Sequence, residues 1–131
     1  EKPETITKKA KQFANLQYHI HSYSIDKIPS IRNKLIKEIS TIDKLSAVKK
    51  EMIINLIKYL NDDNKICHGD FHPDNVLVTK KGLVTIDWLT CFKGNPAADV
   101  ARTSLLLKYG SLPSENSGVE NNIKTIRKLF H

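Results

Sequence analysis

His68-Gly69-Asp70-Phe71-His72-Pro73-Asp74-Asn75 runs straight into apolar Val76-Leu77-Val78, and Val84-Thr85-Ile86-Asp87-Trp88 follows shortly after. Val76 to Thr79 and Leu83 to Ile86 are β-branched and apolar, with Lys80-Lys81-Gly82 between them, so they read as a short hairpin. A hairpin there returns Asp87 toward Asn75. Pro73 fixes its own φ and discourages helix at His72, which predicts an irregular loop between Asp70 and Asn75. Loop side chains on a rigid frame are typical site positions.

Two carboxylates and one amide at this spacing suit phosphoryl transfer. That reaction needs an acceptor hydroxyl oriented in line and a Mg²⁺ ion on the nucleotide phosphates, and it leaves the protein little covalent chemistry to do. One carboxylate to receive a proton and two oxygen ligands for the cation are enough. In protein kinases an H-R-D-x-x-x-x-N loop supplies the base and one metal ligand, and a D-F-G segment one hairpin later supplies the other. Asp70, Asn75 and Asp87 occupy those places here.

HGDFHPDNVLV, then VTIDW, then GNPAADVARTSLLL resembles the aminoglycoside phosphotransferase and choline kinase family over about Ile66 to Tyr109. The resemblance implies an α+β, mainly helical, protein-kinase-like C-terminal lobe whose short β-hairpin carries the catalytic and metal-binding loops. It also implies ATP-dependent transfer to a hydroxyl of a small molecule, with GTP as a possible donor. Asp70 would be the catalytic base, and Asn75 and Asp87 would hold Mg²⁺. His68 would brace the loop, and Asp99 would support it from behind near the start of a helix. Gly69 stands where protein kinases carry an Arg that couples the loop to a phosphorylated segment, which points to a small-molecule kinase without that control.

The lobe that clamps the nucleotide in such kinases, with its G-x-G-x-x-G loop and strand Lys, has no counterpart in the sequence: all five glycines lie at Gly69 or beyond. The chain is therefore expected to be a single domain over 1–131, a lobe whose N-terminal partner lobe is missing and which is inactive alone. The alternative is a non-catalytic pseudokinase or partner-binding scaffold. A third possibility is a zinc hydrolase using His68, Asp70 and His72, although that leaves Pro73 and Asn75 unexplained.

Elsewhere helical spacing dominates. Ile6, Ala10, Phe13, Leu16 or Gln17, and Ile20 form one stripe, and Leu35, Ile36, Ile39 and Ile42 form another. Ser46 is a natural N-cap for a helix to Leu60 with Val48, Met52, Ile53, Leu56 and Leu60 inward. Asn61-Asp62-Asp63-Asn64 ends it and delivers the chain into a strand at Lys65 to Cys67. Asn95-Pro96 starts a helix to about Tyr109, with Ala97, Val100, Ala101, Ser104 and Leu105 inward, and Val119 to Phe130 can form a last one. Phe71 and Trp88 are expected to pack inside the lobe, and His19 and His21 to be surface or packing residues.

The net charge of +7, from 21 basic and 14 acidic residues, raises nucleic-acid binding as a competing class. The lysines are scattered along polar helix faces without interleaved aromatics, which is the pattern of a solvated surface. A polycationic acceptor would prefer an acidic pocket, which this balance does not advertise. No apolar run is long enough to span a membrane, no leader pattern is seen, and two cysteines imply no disulfide framework. The expected setting is a reducing cytoplasm, and the expected partners are a nucleotide and a small hydroxyl compound.

Overall fold

Ser46 and Asn95 mark the two best-defined helix starts in the computed structural model, which describes residues 3–110. The Ser46 side chain accepts the Lys49 N–H and opens α3 (Ala47–Tyr59). Asn95 accepts the Ala97 N–H with Pro96 in the first turn and opens α4 (Pro96–Tyr109). Both satisfy N–H groups that a helix start leaves without partners. Ahead of them lie α1 (Pro3–Ile20) and α2 (Ile31–Thr41). The helix expected over 119–130 lies outside the described residues.

Two small antiparallel sheets separate α3 from α4, so the chain is α+β with helix predominating. The foreseen strand, β1 (Lys65–Cys67), pairs with β4 (Phe92–Gly94), which sequence reasoning did not foresee. The hairpin forms from β2 (Val76–Thr79) and β3 (Gly82–Thr85), with Val76 opposite Thr85. Its turn is one residue shorter than expected, because Gly82, at φ 120°, already pairs with Thr79. Between β1 and β2 the loop is not wholly irregular: Pro73–Asn75 makes one 3₁₀ turn. The segment after α1 lines both edges of the first sheet, with Ile66 N–H bonded to Tyr23 O and Lys93 N–H to Pro29 O.

Two helices bury a different face from the one their apolar spacing suggests. In α3 the half-buried positions are Lys50, Ile53, Ile54 and Ile57, while Val48, Met52, Leu56 and Leu60 are exposed. This helix carries apolar residues nearly all round, so its packing on α2 selects the face. In α4 the buried residues are Asp99, Thr103 and Leu107, and the expected stripe of Ala97, Val100, Ala101, Ser104 and Leu105 is exposed. Polar groups on other elements hold α4 by hydrogen bonds, which apolar periodicity cannot register. Ala98 and Ala101 instead line an open groove of about 450 Å³ with Ile31, Leu35, Ile57 and Leu60, and no residue of the 68–75 loop reaches it.

Among the described residues the buried apolar side chains are Ile20, Cys67, Phe71, Phe92 and Leu107, fewer than the buried polar ones. Phe71 is fully buried, 4.4 Å from the Phe13 ring and 5.9 Å from the His68 ring, so it pins the loop to α1 as expected. Phe71→Ala should cost about 3–5 kcal/mol. Urea unfolding read against the unchanged protein checks this, with a loss below about 1 kcal/mol meaning that the ring is no anchor.

Candidate functional site

Gly69 and Asp87 have positive φ, 79° and 60°, and each sits at a turn in the site. A side chain at position 69 would also run into the Thr90 carbonyl, so only glycine fits. Asp87 is a non-glycine residue in the left-handed region at the end of the hairpin, the kind of conformation that persists where neighbours over-determine it. Here the neighbours are hydrogen bonds on both sides of Ile86. Its N–H donates to Asn75 O at 2.9 Å, and its carbonyl accepts from His68 Nε2 at 2.9 Å. The hairpin thus returns the Asp87 turn to the loop that carries Asp70 and Asn75.

Asp70 and Asn75 touch. Asn75 Nδ2 donates to the Asp70 carbonyl at 2.9 Å and lies 3.3 Å from Asp70 Oδ2. His72 Nε2 lies 3.4 Å from the same carboxylate oxygen, and His72 Nδ1 lies 3.6 Å from Asp74. The Asn75 amide nitrogen is thereby committed to Asp70, with His72 Nε2 a further neighbour at 3.2 Å. Asp87 is exposed, whereas Asp70 is 29% exposed, enough for a ligand to reach it.

His68 is fully buried with both ring nitrogens used. Nδ1 accepts the Asp70 N–H at 3.2 Å, which puts the proton on Nε2 for the bond to Ile86. Its ring lies 4.7 Å from that of Trp88, which is half-buried rather than packed inside the lobe as expected. This overturns the zinc grouping of His68, Asp70 and His72: the turn at Gly69 breaks the extended run that grouping needs, and His68 has no lone pair left to give.

Asp99 is fully buried beneath the loop. It accepts from Gln17 Nε2 at 3.1 Å, His21 Nε2 at 2.9 Å, His68 N–H at 3.2 Å and Gly69 N–H at 2.7 Å. Burial by itself pushes the carboxyl up, but the bonds from His21, the Gly69 N–H, Gln17 and the His68 N–H together hold it below its ordinary value of about 3.8. Gln17 also donates to Thr103 Oγ1 at 2.9 Å.

Thr103 and Arg102 carried no role in the sequence reading, Gln17 stood there only as a position of the α1 stripe, and His21 only as a surface or packing residue. The spacings of four from Gln17 to His21, and of three and four from Asp99 to Arg102 and Thr103, place each set on one helix face, which is the signal that could have exposed them.

His21, Cys67 and Asp99 also lie close enough together for a metal. Their atoms are already engaged, and burial, with the Asp99 and Asp63 charges, pushes the Cys67 thiol up to about 12. His21 and Asp99 bond each other at 2.9 Å, and Cys67 Sγ lies against the Lys65 and Gly94 carbonyls at 3.7 and 3.9 Å, so the group is a hydrogen-bonded knot.

Residues 35–118 match the family model described as the phosphotransferase enzyme family. This covers more than half of the 131 residues, and the chain belongs to that family. It is thereby a kinase-type phosphotransferase by class, as its resemblance to aminoglycoside phosphotransferases and choline kinases implied. No curated protein and no solved structure matches it. Among the described residues no helix is long and apolar enough to cross a membrane.

A carboxyl held low in the fold stabilises it above the ordinary carboxylate range, and that stability is lost as pH falls through the lowered value. Acid should therefore destabilise the protein from about pH 4 downward, and Asp99→Asn should flatten that part of the profile. Asp99→Ala should cost about 3–5 kcal/mol at neutral pH, because it strands a buried imidazole and two N–H groups. Thermal melts from pH 3 to 7 check both, and an unchanged acid limb in Asp99→Asn would remove Asp99 from this role.

Proposed function

We propose that the chain is the catalytic-loop lobe of an ATP-dependent small-molecule phosphotransferase, with Asp70 as general base and Asn75 and Asp87 as the Mg²⁺ ligands. The observation that carries this reading is that one hydrogen-bonded unit unites all three: Asn75 contacts Asp70 through its side chain and binds the residue before Asp87 through its backbone. The donor set suits the cation, since Mg²⁺ takes oxygen ligands, usually one or two from protein carboxylates together with phosphates and water. When bound, the ion supplies charge neutralisation on the nucleotide phosphate oxygens.

The chain's own residues do the rest. Asp70 accepts the hydroxyl proton of the acceptor as its oxygen bonds to the γ-phosphorus and the bond to the ADP oxygen breaks. His68 ties Asp70 to the Asp87 turn, and Asp99 fixes the loop from beneath, so neither needs to touch a substrate. Large exposed apolar residues on α3 and α4, among them Met52, Leu56, Val100 and Leu105, support a lobe that packs against further protein. The acceptor is a small hydroxyl compound, and the nucleotide is ATP with GTP as the alternative donor. The partners on this reading are the nucleotide and the hydroxyl acceptor rather than nucleic acid or a membrane, and a cytoplasmic setting would supply the nucleotide.

Mg²⁺-dependent ADP production by the full-length gene product across a panel of hydroxyl acceptors tests this. Acceptor-stimulated turnover should fall by roughly 10²–10⁴ in Asp70→Ala. A folded wild type without turnover on any acceptor would favour the non-catalytic scaffold instead.

A further inference from the structure

Arg102 follows Asp99 by three residues on α4, so both side chains leave the helix on the same face. Arg102 Nε donates to the Gly69 carbonyl, and its Nη2 stands 3.8 Å from Asp70 Oδ1. The N–H of the same Gly69 donates to Asp99 Oδ1 at 2.7 Å. One helix therefore grips Gly69 at both its N–H and its C=O. The other Asp70 oxygen faces Asn75 and His72.

Position 69 cannot carry a cation itself, because the backbone there is left-handed and the Thr90 carbonyl fills the space a side chain would need. The positive group beside Asp70 comes instead from α4. A guanidinium suits this place, since its planar fork can serve a carbonyl and a carboxylate together, whereas a Lys ammonium acts as a single point. The Arg102 side chain is 52% exposed, so solvent reaches the guanidinium.

We propose that Arg102 is a positioning residue for the transfer: by gripping the Gly69 carbonyl and one Asp70 oxygen, it sets the rotation of the carboxylate that meets the acceptor hydroxyl. This rests on Asp70 being the base. An error of about 1 Å in such a group costs on the order of 10²-fold in rate, which sets the scale of the effect.

The test compares Arg102→Ala and Arg102→Lys in the full-length gene product, with steady-state kinetics, melting temperature and amide hydrogen exchange over 68–72. In Arg102→Ala, kcat should drop by about 10- to 100-fold while the nucleotide KM stays within about twofold, and the Asp70 and Phe71 amides should exchange faster at an unchanged melting temperature. Lys should not restore kcat, and added guanidinium, which can enter the exposed site, should restore part of it in the Ala variant. Wild-type kcat in both variants, full rescue by Lys, or unaltered exchange over 68–72 would each overturn the proposal. A wild type without turnover would count against the kinase reading alone, and the exchange comparison would still decide whether Arg102 holds the loop.

Discussion

The buried carboxylate of Asp99 is the point on which the rest of the site depends. Carrying a charge without exposure is costly unless each oxygen is hydrogen-bonded. Here α1 supplies Gln17, the turn right after it supplies His21, and the loop supplies the His68 and Gly69 N–H groups. These bonds join the first helix, the 68–75 loop and α4 across some eighty residues of sequence. Because the carboxylate needs all of these donors, their positions are constrained together, and the loop inherits the rigidity of two helices.

From that anchor the geometry propagates outward. Gly69 turns the chain where no side chain fits, and His68 spans from the Asp70 N–H to the Ile86 carbonyl. Asn75 closes the circuit through its backbone to Ile86 and its amide to Asp70. Asp87 is left in a backbone conformation worth about 1–3 kcal/mol of strain, held by the bonds around it. Such preorganisation matters in phosphoryl transfer, where positioning and electrostatics carry most of the catalysis.

The hairpin, the two capped helix starts and the loop residues could be read from the sequence because local chemistry determines them: β-branched runs, Ser and Asn caps, a proline after His72. The inward faces of α3 and α4 could not. An α3 that is apolar nearly all round offers no unique stripe, and α4 is held by Asp99 and Thr103, whose partners lie far away in sequence at Gln17, His21 and the 68–69 loop. The strand Phe92–Gly94 is short and takes its identity from pairing with Lys65–Cys67, a contact that local pattern does not encode. The same reason hid Gln17 and gave His21 a bland role: their significance exists only opposite Asp99.

Membership in the phosphotransferase enzyme family makes phosphoryl transfer the chemistry to examine, and the proposed set of Asp70, Asn75 and Asp87 is the place to examine it. The most direct measurement is calorimetric titration of the full-length protein with ATP, with and without Mg²⁺, for the wild type and Asp87→Ala. Binding that requires Mg²⁺ and weakens by about 100-fold or more in the variant is the predicted result, since removing a ligand should cost at least as much as disturbing its supports. Equal Mg²⁺-dependent affinity in the two proteins would contradict the assignment of Asp87, and with it the central claim that this hairpin is built to present a metal-bound nucleotide to Asp70.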